Sequence, residues 1–295
     1  MINFLMIPEN APIFVDCDEI YLFEPEFSLD FCAKWLYNEH KTMIGEAWPL
    51  GEVLAVLSGK GGTGKTSVCA GVATALAELG EKVLCIDCDV GLRNLDISLG
   101  LSDSGALSFR DVCSGGYSLD HAEQHPSCPN LRFLTAPMNC GVEEIDADAF
   151  GAMLRQARSM FDYIFLDAPA GVDAGFRLVT DNADRFLVVT GAGPAAVRDA
   201  SRVGELLELA GKKNIRLVVN RVDRSVLSAV HITIDDVMDT SGLPLIGVVL
   251  EDPCVILAAS FGQMLIRYAK RCDAAKAFRR IARRIQGYSE PMKLH

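Results

Sequence analysis

Several absences narrow the field first. No stretch of the 295 residues approaches the roughly 18 unbroken apolar residues that a membrane-crossing helix needs, so no spanning helix is expected. No basic leader precedes the apolar residues of the opening MINFLMIPENAPIF, and Glu9 comes early, so a secretory signal is not expected and the cytosol is the expected compartment. Internal repeats and low-complexity tracts are missing, which leaves an ordinary globular chain. Positive charge is scarce: 28 Lys and Arg stand against 39 Asp and Glu, for a net charge of -11. A body this acidic is poorly suited to displacing counterions from phosphate, so broad nucleic-acid binding is not expected. The shortage is uneven, because residues 1–50 carry nine acids and two lysines while residues 270–295 carry eight bases and two acids.

What is present is globular. Half of the residues are hydrophobic and 23% are charged, in a chain long enough for one large α/β domain with an appendage. The ten cysteines fall at irregular spacings and read as reduced, small, buried hydrophobes. From residue 53 onward, short apolar runs alternate with longer segments of helical period: VLAVL, VLCID, LRFLT, YIFLD, RFLVVT, IRLVVN and LIGVVL. Near-continuous apolar strands separated by helices predict a doubly wound, mainly parallel, seven-stranded sheet covered on both faces. The helix after the first strand is expected to set Val68, Val72, Leu76 and Leu79 on one face and to end at Gly80.

Residues 1–50 form a short extension of different composition, ahead of a domain over 51–287 and a tail at 288–295. The extension crowds Phe14, Tyr21, Phe23, Phe27, Phe31, Trp35, Tyr37 and Trp48 into an acidic segment. Ser28 is placed to cap a short helix whose Phe31, Cys32, Trp35 and Leu36 share a face. A small cap on the main domain, a partner-docking segment and a membrane-touching segment are all compatible with this composition.

The chemistry concentrates in Gly59-Lys60-Gly61-Gly62-Thr63-Gly64-Lys65-Thr66, which fits GxxxxGK[ST] at every fixed position between an apolar strand and an amphipathic helix. Glycines let backbone N–H groups turn inward around phosphate oxygens, and the following helix presents its positive end to them. Lys65 then neutralises the β and γ phosphates, and Thr66 offers a hydroxyl to Mg²⁺. An acid for the metal is expected at the carboxyl end of a neighbouring strand. Asp167 closes YIFLD at such a place, with Asp87 and Asp89, at the end of VLCID, as the other candidates. Lys60 occupies a position that is free in the general motif.

These residues resemble the MinD family of ATPases that act in bacterial division-site placement. The resemblance rests on the deviant Walker A form GKGGTGKT with its extra lysine, and on IDCDVGLRNLD, FDYIFLDAPAGVD, LVVT, VRDASR, VVNRV and KAFRRIARR in family order over about residues 52–287. GLRNLD favours MinD over the DNA-partitioning ParA relatives. The resemblance implies a P-loop ATPase of the SIMIBI class that forms an ATP-sandwich homodimer, with Lys60 of one subunit reaching the phosphates bound by the other. It implies a nucleotide site of Gly59, Lys60, Gly61, Gly62, Thr63, Gly64, Lys65, Thr66 and Ser67. It further implies that Asp87 and Asp167 hold Mg²⁺ through water, that Asp89 positions the attacking water, and that Pro169, Ala170 and Gly171 form the γ-phosphate switch. Asn220, Arg221 and the Glu251-Asp252 loop match the adenine-side positions.

The chain also departs from the family pattern. Relatives end in an amphipathic helix that dips into the membrane, whereas here only YSEPMKLH follows Gly287, so peripheral contact with the inner face of the cell membrane is left open. The last long helix carries Phe278, Ile281 and Ile285 opposite Arg279, Arg280, Arg283 and Arg284, which suits either a packed terminal helix with a solvated basic face or a weak anionic-lipid contact. Gly191-Ala192-Gly193-Pro194 replaces the usual Asn-Pro-Glu stretch, Ser201 stands where an Asp is expected, and Ala168 replaces a frequent Ser, so MinC-type or MinE-type partners are left open too. Other readings are a flagellar-number or cargo-partitioning ATPase, a nucleotide-binding scaffold without turnover, and an iron-sulfur carrier. The last would use Cys85-Ile-Asp-Cys88, but an offset of three along a strand sends the two thiols to opposite faces.

Overall fold

The computed structural model describes the backbone of three strands within residues 1–22, and residues 50–292 apart from 91, 103, 104 and 139. The chain divides into two compact units, Met1–Pro49 and Leu50–His295. In the first, β1 (Asn3–Met6), β2 (Pro12–Asp16) and β3 (Glu19–Leu22) form an antiparallel sheet in chain order, with Asn3 opposite Val15 and Ile13 opposite Leu22. Sequence reading placed no strand there; the β-branched and aromatic residues of PIFVD and EIYL are the signal for them. The short helix expected after Ser28 lies outside the described residues.

The second unit carries an eight-stranded sheet built from β4 (Glu52–Leu57), β5 (Val83–Asp87), β6 (Glu123–Gln124), β7 (Leu131–Leu134), β8 (Tyr163–Asp167), β9 (Arg185–Thr190), β10 (Ile215–Val222) and β11 (Leu245–Leu250). Its order is β11-β10-β9-β4-β8-β5-β7-β6. The seven expected strands are all present and mutually parallel. The eighth, β6, is a two-residue antiparallel edge strand with Gln124 opposite Arg132, too short to show any hydrophobic period.

Alternation along each strand divides the core in two. Leu54, Val56, Cys85, Phe133, Phe165, Val189 and Val218 face one layer, and Val53, Ala55, Leu57, Ile86, Ile164, Leu166 and Val188 face the other. Cys85 and Cys88 accordingly belong to opposite layers, the geometry that denies them a shared metal. Strand β4 lies between β8 and β9, so the chain after it emerges in the crevice at the carboxyl ends of the strands.

That chain becomes the helix Lys65–Glu78, which buries Val68, Val72 and Leu76. Leu79 departs from expectation: the helix stops at Glu78, and Leu79 leaves the helical register as an exposed cap before Gly80, whose φ of 98° reverses the chain. The terminal helix Asp273–Ile285 lies across this helix and β11, with Phe278, Ile281 and Ile285 buried. Three of its four arginines are engaged as well. Arg279 bonds Glu78 and the Lys270 carbonyl, Arg283 pairs with Glu290 at 2.7 Å, and Arg284 donates to the carbonyls of Ile246, Glu290 and Pro291. The apolar stripe therefore packs inside, and much of the basic face holds the residues that follow.

Two glycines set how closely the terminal helix approaches. A Cβ on Gly71 would stand 2.2 Å from the Phe278 ring, and one on Gly247 would stand 2.3 Å from Ile281. Alanine is favoured over glycine by about 1 kcal/mol in a helix interior, yet Gly71→Ala is expected to lower stability by about 1–3 kcal/mol through overpacking. Urea unfolding checks this, with Gly71→Ala/Phe278→Leu recovering part of the loss.

Candidate functional site

The loop from Ser58 to Gly64 links the end of β4 to the helix beginning at Lys65. Gly62 and Gly64 have φ of 83° and 80°, left-handed conformations that glycine adopts without steric cost. Neighbours also require glycine: a Cβ on Gly64 would lie 2.3 Å from the Asn220 amide nitrogen, and one on Gly59 would lie 2.5 Å from the Asp199 carbonyl. A Cβ on Gly61 or Gly62 would meet no atom within 4 Å, so that side of the loop is the one a ligand can approach.

Two residues expected on the adenine side brace the outer turn of the loop. Asn220 donates its amide to the Thr63 carbonyl at 2.8 Å and to the Gly64 carbonyl at 3.4 Å. Arg221, itself held at a positive φ of 55°, donates to the Gly62 carbonyl at 3.0 Å and to Glu251 at 2.8 Å. Asp252 points elsewhere, because its two carboxylate oxygens accept from Cys254 N–H and Ala274 N–H at the starts of two helices. The segment expected to sense the γ phosphate is tied to the loop by Gly171, whose N–H donates to the Ser58 carbonyl at 3.1 Å.

The acids meet beneath the loop. Strands β5 and β8 pair in a register that sets Asp87 directly opposite Asp167. Asp167 is 1% exposed and accepts from the Lys65 amine at 2.5 Å, a buried ion pair. Burial alone would lower the pKa of Lys65, but the charge and hydrogen bond of Asp167 outweigh it and hold the amine above its ordinary value. Asp87 has no such cation. Burial, followed by the charge of Asp167, pushes its carboxyl up to about 6, although it accepts N–H bonds from Asp89, Asn94 and Leu95. Asp89, half-buried at the mouth, is also raised by burial, against the pull of Lys65.

Sequence reasoning treated GLRNLD as a family signature and missed this local role: the N–H groups of Asn94 and Leu95, at the start of the helix Leu95–Leu99, hold one Asp87 oxygen. It also passed over Ser58. The hydroxyls of Ser58 and Thr63 are buried without a hydrogen-bond partner, and leaving such a group unsatisfied costs about 1–3 kcal/mol. Orphan hydroxyls beside inward-turned N–H groups and a lysine suit the oxygens of a polyphosphate. The half-buried Thr66 hydroxyl with the carboxylates of Asp87 and Asp167 is an all-oxygen donor set of the kind Mg²⁺ takes, and Ser67 follows in the first helical turn. Lys60 contrasts with Lys65, being exposed and making no hydrogen bond or ion pair to any described residue.

Comparison with known proteins agrees with this geometry. The model of the CobQ/CobB/MinD/ParA nucleotide-binding domain matches residues 54–266. The septum site-determining protein MinD of Synechocystis is 38% identical over 244 residues, which cover 82% of this chain and 92% of that protein. Among solved structures, the MinC:MinD cell division protein complex of Aquifex aeolicus superposes with a TM-score of 0.76 at 33% identity, over 82% of this chain and 98% of that one. MinD of Pyrococcus horikoshii, complexed with Mg-ADP, gives 0.71 at 28% identity, over 80% and 96%.

The Lys65–Asp167 pair can be tested apart from catalysis. Removing one member of a buried pair leaves an uncompensated charge at about 3–5 kcal/mol, whereas replacing both with apolar residues is often neutral. Lys65→Met is therefore expected to lower the thermal midpoint markedly, and Lys65→Met/Asp167→Leu to recover most of it. Neither variant should bind nucleotide in a fluorescent-ADP titration.

Proposed function

Since the chain belongs to the MinD family of septum site-determining proteins, within the CobQ/CobB/MinD/ParA nucleotide-binding group, we propose that it is an ATP-dependent dimerisation switch in division-site placement. The observation that carries this reading is the division of labour between the two lysines. Lys65 is buried and committed within its own subunit, while Lys60 projects from the same loop into solvent without a partner among the described residues.

As ATP arrives, Lys65 exchanges Asp167 for the β and γ phosphates, so one buried ion pair replaces another and no buried charge is stranded. Asp167, released from the amine, would hold Mg²⁺ together with Asp87 and the Thr66 hydroxyl. The ion would supply positive charge that offsets the phosphates and these two acids. Asp89, less buried than either and raised above its ordinary pKa, orients the attacking water. Lys60 of one protomer reaches the phosphates held by its partner, which makes the second copy a part of the site. Gly171 couples the γ-phosphate end to the loop through its bond to Ser58. Slow turnover raised by a protein partner, one of MinC type among the candidates, extends the same reading.

The deciding experiment is light scattering during gel filtration with ATP or ADP, beside phosphate release. The wild-type chain is expected to dimerise with ATP alone. Lys60→Ala should bind labelled nucleotide within a few-fold of wild type yet remain monomeric, and a dimer formed by that variant with ATP would falsify the cross-subunit role. Asp89→Ala should dimerise with ATP while phosphate release falls at least tenfold. Dimerisation by wild type without phosphate release under any condition would instead make the chain a scaffold.

A further inference from the structure

The loop that leaves β11 runs into the helix Pro253–Ser260, and the terminal helix starts beside it. Asp252, Cys254 and Cys272 meet there. One carboxylate oxygen and the two sulfurs all lie within 4.8 Å of one another, the sole such group of three candidate ligands among the described residues. None of the three is fully exposed or fully buried, so an ion could shed part of its water and still find a path in.

The donors are already arranged. The Asp252 carboxylate is held by Cys254 N–H at 2.9 Å and Ala274 N–H at 3.2 Å, and the Cys272 sulfur accepts from Ala275 N–H at 3.4 Å. Backbone donors of this kind orient the ligands of a metal site. Two sulfurs and one oxygen match a borderline-soft cation, not the all-oxygen preference of Mg²⁺. Charge balance points the same way. Two thiolates and a carboxylate around a divalent ion leave one negative charge, and both helices direct their N-terminal ends, each worth roughly half a positive charge, at the cluster.

We propose that Asp252, Cys254 and Cys272 form a site for one thiophilic divalent cation of the zinc type, with water completing a tetrahedral shell. Each thiol releases its proton to solvent as the ion binds, so two protons leave per ion. The ion ties the loop after β11 to the start of the terminal helix, bridging a separation of 20 residues between Asp252 and Cys272. Glu251, next in the chain, holds Arg221, and Arg221 holds the Gly62 carbonyl, so the clamp adjoins the brace of the phosphate loop without using any residue that touches the phosphates.

The test is a titration of the metal-free full chain with Co²⁺ and then Zn²⁺, under reducing, oxygen-free conditions without nucleotide. One equivalent of Co²⁺ should raise a thiolate-to-cobalt charge-transfer band that one equivalent of Zn²⁺ abolishes, while Mg²⁺ leaves it unchanged. Cys254→Ala and Cys272→Ser should each weaken Zn²⁺ binding at least tenfold and remove the band, and Cys140→Ser, outside the cluster, should retain it. Cys272→Ser can disturb a helix start, so Cys254→Ala, whose sulfur caps no helix, decides the matter if Cys272→Ser does not fold. Retention of the band in Cys254→Ala, or failure of the wild-type chain to bind one equivalent, overturns the proposal.

Discussion

The contact between Lys65 and Asp167 is the constraint around which the domain is arranged. It exists because β4 and β8 are neighbours and the helix carrying Lys65 springs from the end of β4 beside the end of β8. The register of β8 with β5 then places Asp87 alongside, where a second carboxylate meets a site that holds one buried cation. Burial, and after it the charge of Asp167, pushes the Asp87 carboxyl up to about 6. A site short of one positive charge and lined by oxygen donors favours a hard divalent cation over a second lysine. The charge balance of the site is thus compatible with the Mg²⁺ of the proposed function.

How far this was legible in the chain follows from which signals are local. The seven parallel strands announce themselves because strands buried on both faces must be apolar throughout, and the phosphate loop because its glycines sit where φ is positive or a neighbour crowds the backbone. Strand β6 was hidden since two residues carry no period, and Leu79 was misplaced since a one-residue difference in where a helix stops decides whether its last apolar side chain faces in. The bracing of Gly62, Thr63 and Gly64 by Asn220 and Arg221 joins segments more than 150 residues apart, a contact that depends on the sheet order. Asp252 teaches the same lesson in reverse. Its place in the loop after β11 was readable, but the direction of its carboxylate depends on where the terminal helix begins.

The basic end of the chain illustrates how charge counting misleads without geometry. Eight bases among the last 26 residues suggest an anionic partner. Yet Arg279 is spent on Glu78, Arg283 on Glu290, and Arg284 on three carbonyls, with the Arg283 guanidinium 5.7 Å from the centre of the Tyr288 ring. An anion recruited to Arg279, Arg283 or Arg284 must first compete with these internal partners, and an exposed pair exchanged for another pair gains little.

The same comparison assigns Lys60 its place. Lys60 is exposed and has no hydrogen bond or ion pair to any described residue, so it neutralises no buried charge among them. Selection for stability therefore gives no reason for a cation at that position, and a small or polar residue would serve the loop equally well. On the proposed reading its charge becomes useful once a polyphosphate is bound, because Lys65 is already paired with Asp167. A cation mobile enough to meet phosphate across an interface, and idle without one, is what a switch driven by nucleotide needs. On the proposed reading, the buried lysine would make binding possible and the free one would make it detectable to a second copy.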